Sequence, residues 1–202
     1  LNTTSASVSN QNTVLTDKII NVPEIDIVLT SPPYGDSETT VAYAQFSWLS
    51  NVWLGLDARS PGQLDRELMG GFTDKVIQEL DSKSIDDSIA QIEMIDERRA
   101  REVYSFYRDY RLSIKHVSSM VKVGGYCCYV VGNRTVKGEF LRTDLFTMEQ
   151  FEKFGFEHVE TIVRALPNTR MPGLISPTGK KGVTAPTMKN EYIVICKKVK
   201  SI

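Results

Sequence analysis

Cysteine, histidine and tryptophan are scarce in this chain of 202 residues, with three, two and two respectively. Three cysteines are an odd number and too few for a disulfide framework; Cys127 and Cys128 are adjacent and Cys196 is remote. A reduced, cytoplasmic setting is therefore expected. His116 and His158 have no partner spacing, so no metal is expected on them. Long apolar runs are also missing. The longest uncharged stretch, 39–56, holds 18 residues but includes Thr, Gln, Ser and Asn, which makes it a poor membrane span. The first 16 residues are polar and lack the basic-then-apolar pattern of a signal peptide. Neither sign of charge dominates: 24 Lys+Arg face 25 Asp+Glu, for a net charge of −1. That excludes wholesale binding of nucleic acid through net charge. The remaining composition, 41% apolar and 24% charged, is that of a globular chain, and the length allows one domain at ~150 residues per domain. The chain starts at Leu1 rather than Met, so an upstream segment that is removed, unnumbered or separately encoded is expected.

What is present alternates. Residues 1–16 read as a loose lead-in, and 17–202 as the domain proper, with a helical, mobile insertion near 57–97. Asp26–Thr30 is a short apolar run ending at Ser-Pro-Pro, the pattern of a strand buried on both faces. Val41–Leu56 has roughly helical spacing, ended by Gly55. Glu97–Val123 is the clearest helix: Val103, Phe106, Tyr107, Tyr110, Ile114, Val117 and Val121 form one stripe, stopped by Gly124-Gly125. Tyr126–Val131 reads as a second buried strand and Asp144–Phe154 as a helix carrying Phe146, Met148, Phe151 and Phe154. His158–Leu166 alternates as a strand. A loop over 167–190 with four prolines follows, then a strand over Glu191–Cys196. Strand–helix alternation predicts an α/β fold, and the last two strands, with no helix between them, predict an antiparallel pair.

One tetrapeptide stands out: Ser31-Pro32-Pro33-Tyr34, directly after the first strand. Two prolines have fixed φ and no N–H, so they make a rigid turn at the carboxyl end of a strand, where open α/β sheets place ligands. Such a turn offers carbonyl and hydroxyl acceptors beside an aromatic face. It suits an exocyclic amino group on a planar ring: the Ser31 hydroxyl and the Pro32 carbonyl accept from the NH₂ while Tyr34 stacks. Drawing hydrogen bonds to the amine hydrogens leaves the nitrogen lone pair free for attack on an electrophilic methyl. An ordinary proline turn or a polyproline ligand is the alternative reading.

The run Asp-Ile-Val-Leu-Thr-Ser-Pro-Pro-Tyr-Gly-Asp-Ser resembles the catalytic motif of AdoMet-dependent DNA amino-methyltransferases. The Ser form, preceded by Thr, is most similar to the cytosine-N4 enzymes of restriction–modification systems; the Asp form is commoner among adenine-N6 enzymes. Val123-Gly124-Gly125, Gly132-Asn133-Arg134, Phe154-Gly155-Phe156-Glu157 and Asn190-Glu191-Tyr192-Ile193-Val194 resemble later elements of the same family, so the likeness runs from about Asp17 to Lys198. It implies a class I methyltransferase (Rossmann-like) doubly wound sheet, represented by its C-terminal strands with an antiparallel final hairpin. It further implies catalysis by Ser31, Pro32, Pro33 and Tyr34, S-adenosylmethionine contacts at Thr30, Ser31 and Pro32, double-stranded DNA as partner, and a flipped-out target base. The family's Gly-rich AdoMet loop after a first strand is missing. This chain therefore resembles a catalytic half, which predicts a second chain or upstream segment carrying the AdoMet-binding half and covering the exposed edge of the first strand. Adenine-N6 methylation, methylation of an amide or base in protein or RNA, and a DNA-binding or assembly subunit silent alone are the other readings.

The rest of the sequence divides between function and packing. Asp36 and Ser37 either contact the base or cap the following helix. Tyr43, Phe46, Trp48 and Trp53 are expected in the core rather than stacked on a base. Cys127-Cys128 are expected as buried packing. Between Glu160 and Glu191 there is no acid. Arg164, Arg170, Lys180, Lys181 and Lys189 there either follow a DNA backbone or decorate a solvated loop. Net charge is +5 from residue 133 onward and −6 before it.

Overall fold

The computed structural model describes residues 4, 6, 11–16, 24–35, 43–55, 60–166, 174–175, 185–186 and 188–201. Its centre is a mixed four-stranded sheet of β1 (Ile25–Thr30), β2 (Val121–Val131), β8 (Asn190–Lys198) and β5 (Phe156–Ala165), in the order β1-β2-β8-β5. β1 runs parallel to β2, and β8 is antiparallel to both β2 and β5. The α/β class and the antiparallel final pair are as expected. β3 (Arg134–Val136) pairs antiparallel with β4 (Glu139–Leu141), and β6 (Leu174–Ile175) with β7 (Ala185–Pro186).

Helices α3 (Lys83–Ile95), α4 (Glu97–Met120) and α5 (Thr143–Lys153) form the core with one face of the sheet. Every residue of the predicted α4 stripe is buried. Phe106, Tyr107, Tyr110, Phe146, Tyr129, Phe151 and Phe156 make a continuous chain of edge-to-face and stacked rings. Tyr107 and Tyr110 pair their hydroxyls with Thr143 and Thr147 at 2.7 and 2.8 Å, so neither buried phenol is orphaned. Asp96 caps α4 by accepting from the Arg99 N–H, and buried Lys198 donates to the Ser118 and Val121 carbonyls at its far end. On β2 and β8, burial pushes the Cys127 thiol up and the Cys196 thiol up to about 12; both are neutral packing groups.

Within 60–97 the expected helices form: α2 (Pro61–Glu67) begins on a capping box at Ser60, and α3 buries Ile85, Ile89 and Ile92 at helical spacing. Within the 1–16 lead-in, Thr13 bonds to Ser113 and its carbonyl meets His116 Nδ1 at 2.8 Å, while 1–3, 5 and 7–10 lie outside the described residues. Several expectations are corrected. Gly124-Gly125 do not stop α4, which ends at Met120. They lie inside β2, where a Cβ on Gly125 would fall 2.9 Å from the Asp26 carbonyl, and the β1–β2 register shifts there. β1 is not buried on both faces: Ile27 and Leu29 are exposed. Helix α1 (Tyr43–Trp53) forms as predicted, but Phe46 and Trp53 are exposed rather than core. Cys128 is only partly buried, since it faces the open side of β2. Asp36 and Ser37 lie outside the described residues.

Candidate active site

The Ser31-Pro32-Pro33-Tyr34 turn leaves the carboxyl end of β1 and crosses the tips of the neighbouring strands. Ser31 is exposed, Pro32 buried, and Pro33 and Tyr34 half-buried. The Tyr34 ring lies over Gly132, the residue that follows β2. A Cβ there would fall 2.8 Å from Tyr34 Cδ2, so only glycine lets the ring sit so close. Beyond Gly132, the Tyr34 hydroxyl donates to Glu191 Oε1 at 2.7 Å. Glu191 is the second residue of β8 and is 9% exposed. Its other oxygen accepts from Arg164, with Nε at 3.0 Å and Nη2 closing the fork. Arg164 and Glu191 are directly paired across β5 and β8. Ser31 Oγ lies 3.2 Å from the Tyr34 hydroxyl. Four strands thus meet at one corner: β1 supplies the turn, β2 the glycine seat, and β8 and β5 a carboxylate–guanidinium pair.

The electrostatics agree with this geometry. Burial works to raise the Glu191 carboxyl, but hydrogen bonds from Arg164 and Tyr34 outweigh it and hold the group below its ordinary value. Glu191 is therefore an anion at neutral pH. Burial raises the Tyr34 phenol and the Glu191 carboxylate adds to the rise, against the bond from Ser31; Tyr34 stays protonated. Chemically, the corner offers hydroxyl and carbonyl acceptors at an exposed rim beside a fixed aromatic face.

Ser31, Pro32, Pro33 and Tyr34 are brought together with Thr30, the last residue of β1. Of the basic residues, Arg164 joins the site through its pair with Glu191, and exposed Lys189 lies one residue before β8. Arg170, Lys180 and Lys181 lie outside the described residues. Glu191 and Gly132 were missed as site residues. Glu191 did carry a signal: it is the sole acid after Glu160. His116 and His158 stand apart, the latter 2.8 Å from Thr161 Oγ1, and among the described residues no three His, Cys, Asp or Glu side chains converge. Nor is any helix among them long and apolar enough to cross a membrane.

Fold and site together define an α/β chain with a Ser-Pro-Pro-Tyr turn at the carboxyl tip of a parallel strand pair. Over 181 residues, 85% of its length, the chain is 44% identical to the type II methyltransferase M.MvaI of Kocuria varians, and the matched segment is homologous to that enzyme. It spans 40% of that relative's length. No protein-family model matches. Among solved structures, a Thermus thermophilus protein provisionally assigned as a DNA modification methylase superposes in part, with a TM-score of 0.35 and 17% identity over 55% of this chain and 42% of that one. The same protein complexed with S-adenosyl-L-methionine gives a TM-score of 0.34 and 18% identity over 48% and 39%.

Proposed function

We propose that this chain is the catalytic portion of an AdoMet-dependent DNA methyltransferase of a restriction–modification system, acting on the exocyclic N4 of cytosine. The observation that carries the reading is the Ser31–Tyr34 turn at the β1 tip, within a segment 44% identical to a type II methyltransferase. Ser31 Oγ and the Pro32 carbonyl accept from the amine of a flipped-out base, Pro33 holds the turn, and Tyr34 stacks on the ring. AdoMet held beside Thr30, Ser31 and Pro32 would supply an electrophilic methyl for the target amine, with the neutral thioether as leaving group. Ser31 and Pro32 orient the amine so that its lone pair points away from the acceptors, and the surplus proton leaves to solvent beside exposed Ser31. Alignment of the two reactants supplies most of the acceleration.

The fit to AdoMet is partial. Thr30, Ser31 and Pro32 form a strand tip with open acceptors, suited to the methyl-bearing end. The sequence has no Gly-rich turn after a strand to cradle the remainder. A second chain or upstream segment supplies it, covering the two surfaces this sheet leaves open: the free edge of β1 and the face bearing Ile27 and Leu29. Lys189, with Arg170, Lys180 and Lys181, follows the DNA backbone, while Arg164 serves the site corner.

The test is transfer of labelled methyl from AdoMet to mixed-sequence DNA by the full-length protein, with product nucleosides identified by mass spectrometry. N4-methylcytosine is expected. N6-methyladenine would overturn the choice of base, and no methylated nucleoside would overturn the reading.

A further inference from the structure

The hydrogen bonds at the site corner have a direction, set by the ionised Glu191 carboxylate and the single phenol proton. A phenol has one proton. Glu191 is an anion and can only accept, so at 2.7 Å it takes the Tyr34 proton. Tyr34 Oη can then only accept from Ser31, 3.2 Å away. The Ser31 proton is thereby turned inward toward Tyr34, and the Ser31 oxygen presents its remaining lone pairs to the exposed rim. At the other end, Arg164 occupies Glu191 Oε2 with its fork, leaving Oε1 to Tyr34. The order is therefore Ser31 to Tyr34 to Glu191, with Arg164 closing the far side.

We propose that Glu191, oriented by Arg164, is a positioning residue that acts through Tyr34 to fix Ser31 as a hydrogen-bond acceptor for the target amine. This rests on the reading of Ser31 as the amine's acceptor. Without an anion at position 191 the Tyr34 proton is free to turn to Ser31, and the Ser31 hydrogen then points at the amine it should be accepting from. The chain also sets the Tyr34 ring, tethered by its hydroxyl at one end and seated on Gly132 at the other. Glu191 and Arg164 touch no reacting atom; they set the polarity of one that does.

Glu191→Gln is the informative change. Arg164 keeps the amide oxygen, so the amide NH₂ faces Tyr34 and donates, reversing the whole chain. Single-turnover methyl transfer by the full-length protein is compared for wild type, Glu191→Gln, Tyr34→Phe and the double variant. Glu191→Gln is expected to slow transfer about 10- to 100-fold, the range for losing a partner that orients a directly contacting group and less than the ~10²–10³ of a direct transition-state hydrogen bond, with the Kd for AdoMet unchanged. The double variant is expected to be no slower than the slower single one, because Glu191 acts only through the Tyr34 hydroxyl. A second readout needs no turnover. In protein carrying carbon-13 tyrosine, the Tyr34 Cζ resonance, assigned by its loss in Tyr34→Phe, should move in Glu191→Gln at neutral pH. Multiplying losses in the double variant, or an unmoved resonance, would overturn the proposal. If wild type methylates no DNA, the functional reading falls, and the resonance alone decides whether the hydrogen-bond chain runs through Glu191.

Discussion

The two faces of the one sheet differ sharply. On the helix side, Cys127, Tyr129 and Val131 of β2 and Val194 and Cys196 of β8 are buried under α4 and α5, and the ring chain fills the space between. On the opposite side, Ile27 and Leu29 of β1 are 60% and 74% exposed, and Tyr126 and Ile162 are also open. In-register neighbours make this a continuous apolar strip: Leu29 pairs with Cys128, which pairs with Ile195. Both sides carry strand residues of the same kinds, so composition does not separate them; what covers them does. One face is a finished core. The other, with a β1 edge that pairs with no further strand among the described residues and the exposed apolar residues of α1, has the character of an unfinished one. The candidate active site stands at the boundary, its acceptor turn on the unfinished edge and its anchor, Glu191 and Arg164, on the inner strands.

Breaking the finished side should have the largest effect. Phe146→Ala removes a fully buried ring that contacts both Tyr107 and Tyr110, and is expected to cost about 3–5 kcal/mol of unfolding free energy in denaturant titration. Tyr34→Ala, on the boundary, should leave folding nearly intact. It is expected to lower methyl transfer by about 10²-fold or more, read as kcat in the full-length protein against an unchanged melting curve.

On the open side the expected effect depends on what is present. Leu29→Ala in this chain alone should change stability by less than about 0.5 kcal/mol. In the full-length protein the same substitution should cost about 2 kcal/mol, the value of burying one leucine, measured by parallel denaturant titrations. Equal small effects in both would mean that nothing covers β1.

The smallest effect is a pH dependence at the corner. The Glu191 carboxyl is held below its ordinary value of 4.5 in the folded state. Its contribution to stability is therefore complete above that value and is lost as pH falls through the depressed folded value. Glu191→Gln should flatten that part of the acid limb of the stability profile, measured by thermal melts across the acidic range.

The finished face was the legible one. The α4 stripe is a period that burial imposes on sequence, and the elements it predicts are present within a few residues. Elsewhere the local signals misled for physical reasons. β1 has the apolar run of a doubly buried strand, yet its second neighbour is absent from the described residues. The aromatics of α1 have core spacing, but nothing described here covers them. Gly124-Gly125 look like a helix stop and serve a close strand approach instead. At the site, the Ser31–Tyr34 turn was readable because two prolines after a strand leave few conformations. Glu191 and Gly132 were not, because their roles arise from contacts at sequence separations of about one hundred residues or more, 157 for Tyr34–Glu191. Local charge leaves Arg164 as either a DNA contact or a solvated side chain; its ion pair with Glu191 appears only when β5 and β8 are aligned.

The most direct test of the half-covered sheet is reconstitution. This chain and the proposed segment or partner carrying the AdoMet-binding half are produced separately, and methyl transfer from AdoMet to DNA is measured for each alone and for the two together. Transfer restored only by mixing, with β1 amides becoming protected from hydrogen exchange in the mixture, is the predicted result. Transfer by this chain alone at the rate of the full-length protein would contradict the account.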